Sequence, residues 1–284
     1  MAKRKNKAIE INKISIVIPT YKRSKLAFSL AKEIRKQYPK VEIIIVEQEG
    51  KRSKLKEVNE LEIKYFNLEK ANTSVAKNFG WQKANGKVIV FLDDDVEITD
   101  GLLEAHVEKY QDKQVMGVAG RVINDDDNLG QNLAVETGKT NFLATKFVYK
   151  FWSTKKQEVD FVYGCNMSFR RKVLERVSGF DKRFPKIFEE VDLSKRVKKY
   201  GKLVFEPKAL VYHHRAPSGG TRTAEIDKKK MIYRYYGLYV GKHLKLLGLI
   251  TIVLRIKTII LKEKKRGLIK EWIKGYKQGL LNQI

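Results

Sequence analysis

Short apolar runs alternate with segments of helical periodicity over the first hundred residues. Apolar residues at helical spacing predict one helix from an N-cap at Ser24 to Pro39 and another from Asn72 or Thr73 to about Asn85. Continuous apolar runs predict buried strands at Ile14–Pro19, Val41–Val46, Ile63–Phe66 and Val88–Leu92. This alternation predicts an α/β fold with a mostly parallel, Rossmann-like sheet and helices on both faces.

The pattern is less regular after Asp100. It predicts helices at Leu102–Tyr110 and Asp192–Tyr200. It predicts strands at Val115–Val122, at Asp160–Phe169 and around Val204 and Val211. From Asp227 onward the spacing is helical, amphipathic and basic. The chain is therefore predicted to have a basic tail at residues 1–13, one α/β domain at residues 14–225 and a helical extension at residues 226–284.

Composition narrows the class of protein. The 284 residues are 43% hydrophobic and contain one cysteine, Cys165. That hydrophobic content excludes a disordered chain. A single thiol can form neither an internal disulfide nor a thiolate zinc site, so a reducing, cytoplasmic location is expected.

Charge adds a prediction about partners. The formal net charge is +26, and residues 226–284 carry 15 basic and 3 acidic side chains. This balance predicts an anionic partner, such as nucleic acid, a phosphorylated substrate or an anionic membrane face, with a solvated basic face as the alternative. The apolar run Leu246–Leu254 is shorter than the about 20 residues that a membrane span needs. A span is not expected, and peripheral attachment stays open.

Polar residues follow three of the predicted strands, at Thr20–Arg23, Glu47–Gln48 and Asp93–Asp95. Ligands of open α/β sheets bind at the carboxyl ends of the strands, so one shared cleft is predicted. In an extended segment Asp93 and Asp95 face one ligand while Asp94 faces away. Two such carboxylates suit Mg²⁺ or Mn²⁺. A second triplet, Asp125–Asp127, has no predicted strand directly before it and is interpreted as a surface loop.

Two groups of charged residues lie near predicted helices. Lys77 can meet a phosphate, and Asn78 can hydrogen-bond a ligand or the cleft wall, although this segment alone means little and a lysine at such a position usually lies on the surface. Glu189, Glu190 and Asp192 start a predicted helix. They either compensate its dipole or supply a general base, and the spacing leaves both interpretations open.

A third group combines histidine and glycine. His213 and His214 at a strand end can bind a metal or a phosphate, or pack as ordinary core residues. The following Gly219–Gly220 pair, flanked by Arg222, can wrap an anion.

Six motifs then occur in order: Ser15–Tyr21 (SIVIPTY), Asn78–Gly80 (NFG), Val90–Asp95 (VFLDDD), Gly164–Arg170 (GCNMSFR), Gly179–Asp181 (GFD) and Glu189–Leu193 (EEVDL). With these motifs the chain resembles the family-2 glycosyltransferases, which have the GT-A fold. The resemblance covers about residues 14–215. It implies inverting transfer of a sugar from a nucleotide-diphosphate sugar to an acceptor hydroxyl, in the synthesis of cell-surface polysaccharide or glycolipid.

The resemblance also implies residue roles. It implies a nucleotide-sugar site formed by Pro19, Thr20, Tyr21, Arg23, Glu47, Lys77, Asn78, Asp93 and Asp94. Glu47 stands where the family usually has an aspartate that contacts the base, so the identity of the base stays open. A divalent cation, Mn²⁺ or Mg²⁺, is implied at Asp95 and Asp93, with His213 or His214 beside them.

For the activation of the acceptor, Glu190 matches the general base of the family. If the motif is aligned with a different register, Glu189 or Asp192 takes that position instead. Acceptor or sugar contacts are implied at Gly164, Cys165, Asn166 and Arg222. Many relatives act on lipid-linked acceptors, which implies a cytoplasmic enzyme that is peripheral on an anionic membrane surface. A packed helical layer or a homo-oligomer surface is the alternative role for residues 226–284.

Two other functions remain as alternatives. A nucleotidyltransferase shares the sheet, the metal and the nucleotide, but it needs a glycine-rich loop after the first strand, and Pro19–Arg23 contains no glycine. A nucleic-acid-binding module fits the charge, but no recognition motif accompanies it. No nucleic-acid partner is therefore expected.

Overall fold

The computed structural model describes residues 10–49, 55–215, 225–258 and 266–281. The chain divides into two compact units. The first comprises the described parts of Met1–Gly138, Tyr149–Pro185 and Glu189–Gly219, and the second those of Lys139–Val148, Lys186–Phe188 and Gly220–Ile284. The domain limits expected from the sequence stay a prediction.

A nine-stranded mixed sheet organises the first unit. Its strands are β1 (Ile14–Tyr21), β2 (Glu42–Gln48), β3 (Lys64–Leu68), β4 (Val88–Leu92), β5 (Val96–Ile98), β6 (Val115–Asn124), β9 (Gln157–Val159), β10 (Asn166–Arg170) and β11 (Lys202–His213); β7 (Lys139–Thr140) and β8 (Phe147–Val148) belong to the second unit. The order is β3-β2-β1-β4-β10-β6-β11-β5, with β9 also on β11. The first four strands are parallel, as the alternating pattern predicted.

The helices of the first unit are α1 (Ser24–Gln37), α2 (Leu55–Glu60), α3 (Thr73–Lys83), α4 (Leu102–Lys109), α5 (Arg171–Arg176) and α6 (Glu189–Val197). Asn72 caps α3, because its side chain accepts a hydrogen bond from the backbone of Val75 at 3.1 Å. This confirms one of the two predicted caps. Ser24 is not a cap: it is the first helical residue of α1, and Arg23 stands at the N-cap.

Three predicted elements differ from the structure. Residues 160–165 bend between β9 and β10 instead of continuing one strand, although Phe161 and Val162 are fully buried. An apolar run shows burial but cannot distinguish a core loop from a strand. Val204 and Val211 lie in one strand, β11, with a register shift between Glu206 and Leu210.

Helix α6 begins at Glu189, three residues before the predicted start at Asp192. Glu189, Glu190 and Asp192 therefore all lie in the first turn of α6. The helix dipole stabilises acidic side chains at this end, which explains why the helix can begin with them. β6 also reaches Asn124, so a strand does precede Asp125–Asp127, although none was expected there; the triplet itself is the surface loop that the sequence predicted.

The second unit contains the β7–β8 pair and three helices, α7 (Glu225–Leu244), α8 (Gly248–Thr258) and α9 (Arg266–Leu281). This confirms the predicted C-terminal helical region. Helices α7 and α9 pack through glycines: a Cβ at Gly237 would lie 2.1 Å from the Trp272 carbonyl oxygen, and one at Gly275 only 1.9 Å from that of Arg234. Only residues without a side chain allow backbones this close.

Asp227–Arg255 is long and apolar enough to cross a membrane by length and composition, and 39% of its most apolar window is buried within the protein. The sequence-based interpretation considered only Leu246–Leu254. A buried helix of a water-soluble protein meets the same criterion of length and composition.

Candidate active site

Strand register brings the polar ends of β1, β4 and β11 together. β1 and β4 are parallel neighbours, and the Thr20 hydroxyl near the end of β1 donates to Asp94, which follows β4, at 2.5 Å. β5 begins directly after Asp95 and pairs with β11, so that His213 lies opposite Val96. The short β5 thus places a histidine more than a hundred residues away in sequence beside the aspartates.

Asp93, Asp95 and His213 form a compact cluster, in which one ligand atom of each lies within 4.8 Å of the other two. His213 Nε2 is 3.1 Å from Asp95 Oδ1, and His213 Nδ1 is 2.9 Å from Asn124 Oδ1. Because the Asn124 amide nitrogen donates to Asp127, its oxygen accepts the Nδ1–H of His213. In the neutral imidazole, Nε2 then presents its lone pair to Asp95.

A lone pair that faces a carboxylate oxygen requires positive charge between them, either a proton on Nε2 or a cation. Two carboxylates and one imidazole whose other nitrogen is held by a neighbour form a donor set suited to Mg²⁺ or Mn²⁺. Asp93, Asp95 and His213 therefore fit a divalent cation.

Asp94 does not belong to this cluster, although the extended backbone on which that expectation depended is absent at residues 93–95. Its carboxylate forms an ion pair with Arg23, whose NH1 also lies 3.2 Å from Asp95 Oδ2. Burial raises the pKa of Asp94 to about 6, although Arg23 and the Thr20 hydroxyl favour its ionised form. Residues 93–95 form a turn rather than a strand extension, so the turn, not strand pleating, separates the side chains.

A second carboxylate group starts α6. Glu189 Oε1 is 3.0 Å from the ammonium of Lys77, and both side chains are buried. The neighbouring Glu190 is also buried, and desolvation together with the Glu189 charge raises its pKa well above the ordinary value. A buried carboxyl with a raised pKa, beside the Gly164 backbone, has the properties expected of a general base.

Lys77 connects the two acidic groups. Burial lowers its pKa, but Glu189, Asp93 and Glu190 raise it and together exceed the effect of burial. Its ammonium is also 3.4 Å from the Gly164 carbonyl oxygen. One buried lysine is thus paired with Glu189 and lies within electrostatic range of both Asp93 and Glu190.

The structure adds Tyr163 and Asn124 to this site. The Tyr163 phenol hydrogen-bonds with Arg215 and lies within electrostatic range of Glu190. Arg215 in turn donates to Asn124 Oδ1 at 3.3 Å, the atom that holds His213. The only sequence signal near them is that Tyr163 directly precedes the Gly164 motif; Asn124 lies two residues beyond the predicted strand Val115–Val122.

Some predicted residues have other partners. His214 is half-exposed and lies 3.0 Å from Glu97 and 3.1 Å from Asp125, outside the Asp93–Asp95–His213 cluster. The Asp125–Asp127 loop therefore contacts the residues that follow β11: Asp125 pairs with His214, and Asp126 pairs with Arg215.

Asn78 and Asn166 have structural contacts. The Asn78 side chain bonds both the backbone N–H and carbonyl of Phe180 and accepts from the Trp81 indole. The Asn166 amide, completely buried, donates to the carbonyls of Arg121 and Ala209. These bonds leave the two asparagines as supports of the site rather than obvious ligand contacts.

The remaining predicted site residues are paired with other side chains, are buried, or lie outside the described part of the chain. Asp192 is paired with Arg196 at 2.7 Å, one turn along α6. Glu47 is buried opposite Thr20 and accepts a hydrogen bond from the Tyr65 hydroxyl. Pro19 and Cys165 are buried, Tyr21 donates to Glu49, and Arg222 lies outside the described residues.

Comparison with known families and proteins agrees with this geometry. The sequence profile of the family Glycosyl transferase family 2 matches residues 15–178. The chain is 28% identical over 162 residues to the GalNAc(5)-diNAcBac-PP-undecaprenol beta-1,3-glucosyltransferase of Campylobacter jejuni, covering 52% of each chain. It is 25% identical over 227 residues to the O-antigen biosynthesis protein RfbC of Myxococcus xanthus, covering 72% of this chain and 18% of that one. The chain thus spans about half or less of the length of these relatives.

Solved structures share the fold at low sequence identity. GalNAc-T7, crystallised with UDP, GalNAc and Mn²⁺, matches with a TM-score of 0.66 and 16% identity over 95% of this chain and 55% of that chain. Staphylococcus aureus TarS 1–349 in complex with UDP-GlcNAc matches with a TM-score of 0.61 and 16% identity over 93% of this chain and 79% of that chain.

Proposed function

Because this chain belongs to glycosyl transferase family 2 and is a glycosyltransferase with the GT-A fold, we propose that it transfers a sugar from a nucleoside-diphosphate sugar to an acceptor hydroxyl with inversion at the anomeric carbon. The observation that carries this proposal is that the buried ammonium of Lys77 lies 3.0 Å from Glu189 and within electrostatic range of both Asp93 of the cation cluster and Glu190. A donor diphosphate and a general base must both approach one reacting carbon, and this arrangement provides a place for each.

The donor nucleoside is proposed to bind at the ends of β1 and β2, against Pro19, Thr20, Tyr21 and Glu47. Arg23 holds Asp94 and Asp95 there and supplies positive charge beside the phosphates. The related TarS and GalNAc-T7 structures were obtained with uridine nucleotides, so UDP-sugars are the first donors to test.

Asp93, Asp95 and His213 are proposed to hold a divalent cation, with Asn124 fixing the tautomer of His213. When bound, such a cation supplies positive charge against the leaving diphosphate. Lys77 supplies a second, permanent positive charge within the same pocket.

Glu190 is proposed to be the general base. Its carboxylate accepts the proton of the acceptor hydroxyl while that oxygen attacks the anomeric carbon and the bond to the diphosphate breaks. Because burial raises the pKa of Glu190, its base form becomes populated only as the pH rises, and transfer should increase with pH through this range. Glu189, paired with Lys77, positions this turn of α6 rather than accepting the proton.

The acceptor is proposed to approach past Tyr163 and Gly164, which lie beside Glu190. One relative is named for a polyprenyl-diphosphate-linked glycan and another for O-antigen biosynthesis. We therefore propose a lipid-linked or cell-surface glycan acceptor and a peripheral position on the cytoplasmic face of a membrane.

A panel of nucleotide sugars, each with Mn²⁺ or Mg²⁺, tests this function by thermal stabilisation and by release of nucleoside diphosphate. A ligand that binds the folded state raises its melting temperature by mass action. We expect one or a few sugar nucleotides to stabilise the protein only with the cation and to release diphosphate slowly. Stabilisation by nucleoside triphosphates and release of pyrophosphate instead would favour a nucleotidyltransferase and contradict the proposal.

A further inference from the structure

The second unit exposes a continuous apolar surface on and next to α8. Leu246 and Val253 are 76% and 69% exposed, although both are large aliphatic residues. The other large exposed members of this surface are Leu247, Leu249, Ile250 and Leu254. We name these six residues the α8 surface. Isolated exposed leucines are ordinary, but adjacent ones on one helix mark a site of interaction.

Polarity along α8 is inverted relative to a helix in water. Thr251 is completely buried, and its hydroxyl donates to the Leu143 carbonyl at 2.9 Å. Arg255 likewise points inward, donating to the Thr145 carbonyl with its guanidinium 5.4 Å from the centre of the Tyr236 ring. Thr251 and Arg255 of α8 thus face the protein, while Leu249, Ile250, Val253 and Leu254 are exposed. A helix in water buries its apolar side and exposes its polar side.

The loop that is bonded to the inward-facing residues of α8 carries a further exposed apolar residue. Three successive carbonyls, of Leu143, Ala144 and Thr145, accept hydrogen bonds from α7 and α8 side chains. The preceding Phe142 is held beside them with 77% of its surface exposed. An exposed phenylalanine on a loop fixed at three points adds to the area available for a partner.

Charge indicates what this partner is. The exposed Lys245 adjoins Leu246, and residues 226–284 carry 15 basic and 3 acidic side chains. On α9, Lys270, Lys274 and Lys277 are exposed at helical spacing. An apolar surface within a strongly basic segment is complementary to lipid whose headgroups are anionic.

We propose that the α8 surface and Phe142 insert into the interfacial layer of an anionic membrane, with α8 lying in the plane of the membrane. α8 has 11 residues, or about 16 Å of helix, which is half the about 30 Å of a bilayer core. Lys245 separates it from α7, since its backbone φ is +49°. α7 itself is covered by α9 along Gly237 and Gly241.

This placement deepens the proposed lipid-linked acceptor, since it would hold the enzyme at the surface where such an acceptor lies. Binding to vesicles, however, is measured without donor or acceptor. A failure to bind would therefore overturn the membrane placement while leaving sugar transfer to a water-soluble acceptor analogue unaffected.

The test is flotation of the full chain with vesicles of phosphatidylglycerol and phosphatidylethanolamine, compared with phosphatidylcholine vesicles. We expect the wild type to float with the anionic vesicles and less with the neutral ones. The double variant Leu249→Gln, Val253→Gln should lose at least tenfold in partition coefficient, which is about 1.4 kcal/mol. Both residues are exposed, so the melting temperature should be unchanged. Leu129→Gln, at an exposed leucine of the first unit, is the matched control and should bind as the wild type does.

Three results would overturn the proposal. The first is equal flotation of the wild type and the double variant. The second is resistance of the bound wild type to alkaline carbonate, which would indicate a spanning helix. The third is a dimer in sedimentation equilibrium that the double variant dissociates, which would assign the α8 surface to a second copy of the chain.

Discussion

Asp95 is the residue on which the cation side of the site depends. One of its oxygens faces His213 and the other faces Arg23. Its carboxylate is nearly inaccessible, so these contacts replace water around the charge. A carboxylate held from both sides has little freedom to move, which preorganises it for a ligand that bridges to Asp93.

Asp95→Asn should lower the affinity for Mn²⁺ at least tenfold, because one of two anionic ligands becomes neutral while the geometry is kept. Titration calorimetry with Mn²⁺ measures this directly. Asp126→Asn, in the second aspartate triplet, is the matched control and should leave the affinity unchanged. Equal loss in the two variants would mean that Mn²⁺ binds the acidic surface in general.

His106 gives a stability prediction that is independent of the reaction. It is buried between Asn166 and Ser168, 2.9 Å from each. Because the Asn166 amide nitrogen donates elsewhere, Asn166 Oδ1 accepts from His106 Nε2–H, and the Ser168 hydroxyl can donate to Nδ1. The neutral ring therefore satisfies both neighbours, and burial lowers its pKa from 6.5 to about 4.

Between these two pKa values the unfolded chain binds a proton that the folded chain does not, so stability should fall as the pH falls from 6.5 towards 4. The contribution of His106 is roughly 3 kcal/mol over this range. Urea unfolding of the wild type and of His106→Gln across this range measures it. The variant should lose less stability on acidification, and parallel curves for the two proteins would contradict the assignment.

For single residues, the sequence predicted which side chains are candidates for the site better than it predicted the contacts that orient them. Strand ends and an acidic helix start pointed to Asp93, Asp95, His213 and Glu190, and the resemblance to the family added Lys77 and the expected role of Glu190, so that these roles stay predictions. The side chains that orient them were not predicted. Asn124 and Tyr163 act through pairings between residues tens of positions apart, which a linear pattern does not contain.

Short strands are the elements on which the site depends most. β5 has three residues, yet its pairing with β11 brings His213 to Asp95. Three residues carry no readable periodicity, so this strand was not predicted, whereas the long buried strands β1, β2 and β4 were. Pro207 lies within the register shift of β11, which made one strand look like two in the sequence.

The α7–α9 pair offers a matched test of helix packing. Gly275→Ala would place a methyl group 1.9 Å from the Arg234 carbonyl oxygen, so the helices must separate. We expect a loss of about 1–3 kcal/mol in the free energy of unfolding. Gly267→Ala, in the same helix with nothing within 4 Å of the added carbon, should be neutral or slightly stabilising. Equal effects of the two changes on denaturant unfolding would contradict the close packing.

For the whole molecule, the net charge of +26 has to be reconciled with a site lined by carboxylates. Within the described residues two basic side chains pair with acidic groups of the site: Arg23 with Asp94 and Asp95, and Lys77 with Glu189. Residues 226–284 carry 15 basic and 3 acidic side chains, or +12 of this net charge. The chain therefore combines a pocket whose carboxylates are only partly matched by basic side chains with a strongly basic segment, which fits an enzyme working beside an anionic surface.

The same charge predicts weak, nonspecific binding to nucleic acid. Duplexes of different sequence should bind equally, with affinity falling steeply as salt rises, because counterion release drives such binding. Filter binding at several salt concentrations measures this. Tight, sequence-dependent binding at physiological salt would favour the nucleic-acid-binding alternative over the membrane placement.

Turnover and donor binding by Glu190→Gln test the central claim most directly. The amide keeps the size of the side chain but cannot accept the acceptor proton, so turnover should fall about 10²–10⁴-fold. Affinity for the nucleotide sugar should stay near that of the wild type, because Asp93, Asp95 and His213 are unchanged. Glu175→Gln, at an exposed position on α5, should keep full activity. Near-normal turnover by purified Glu190→Gln would contradict the account.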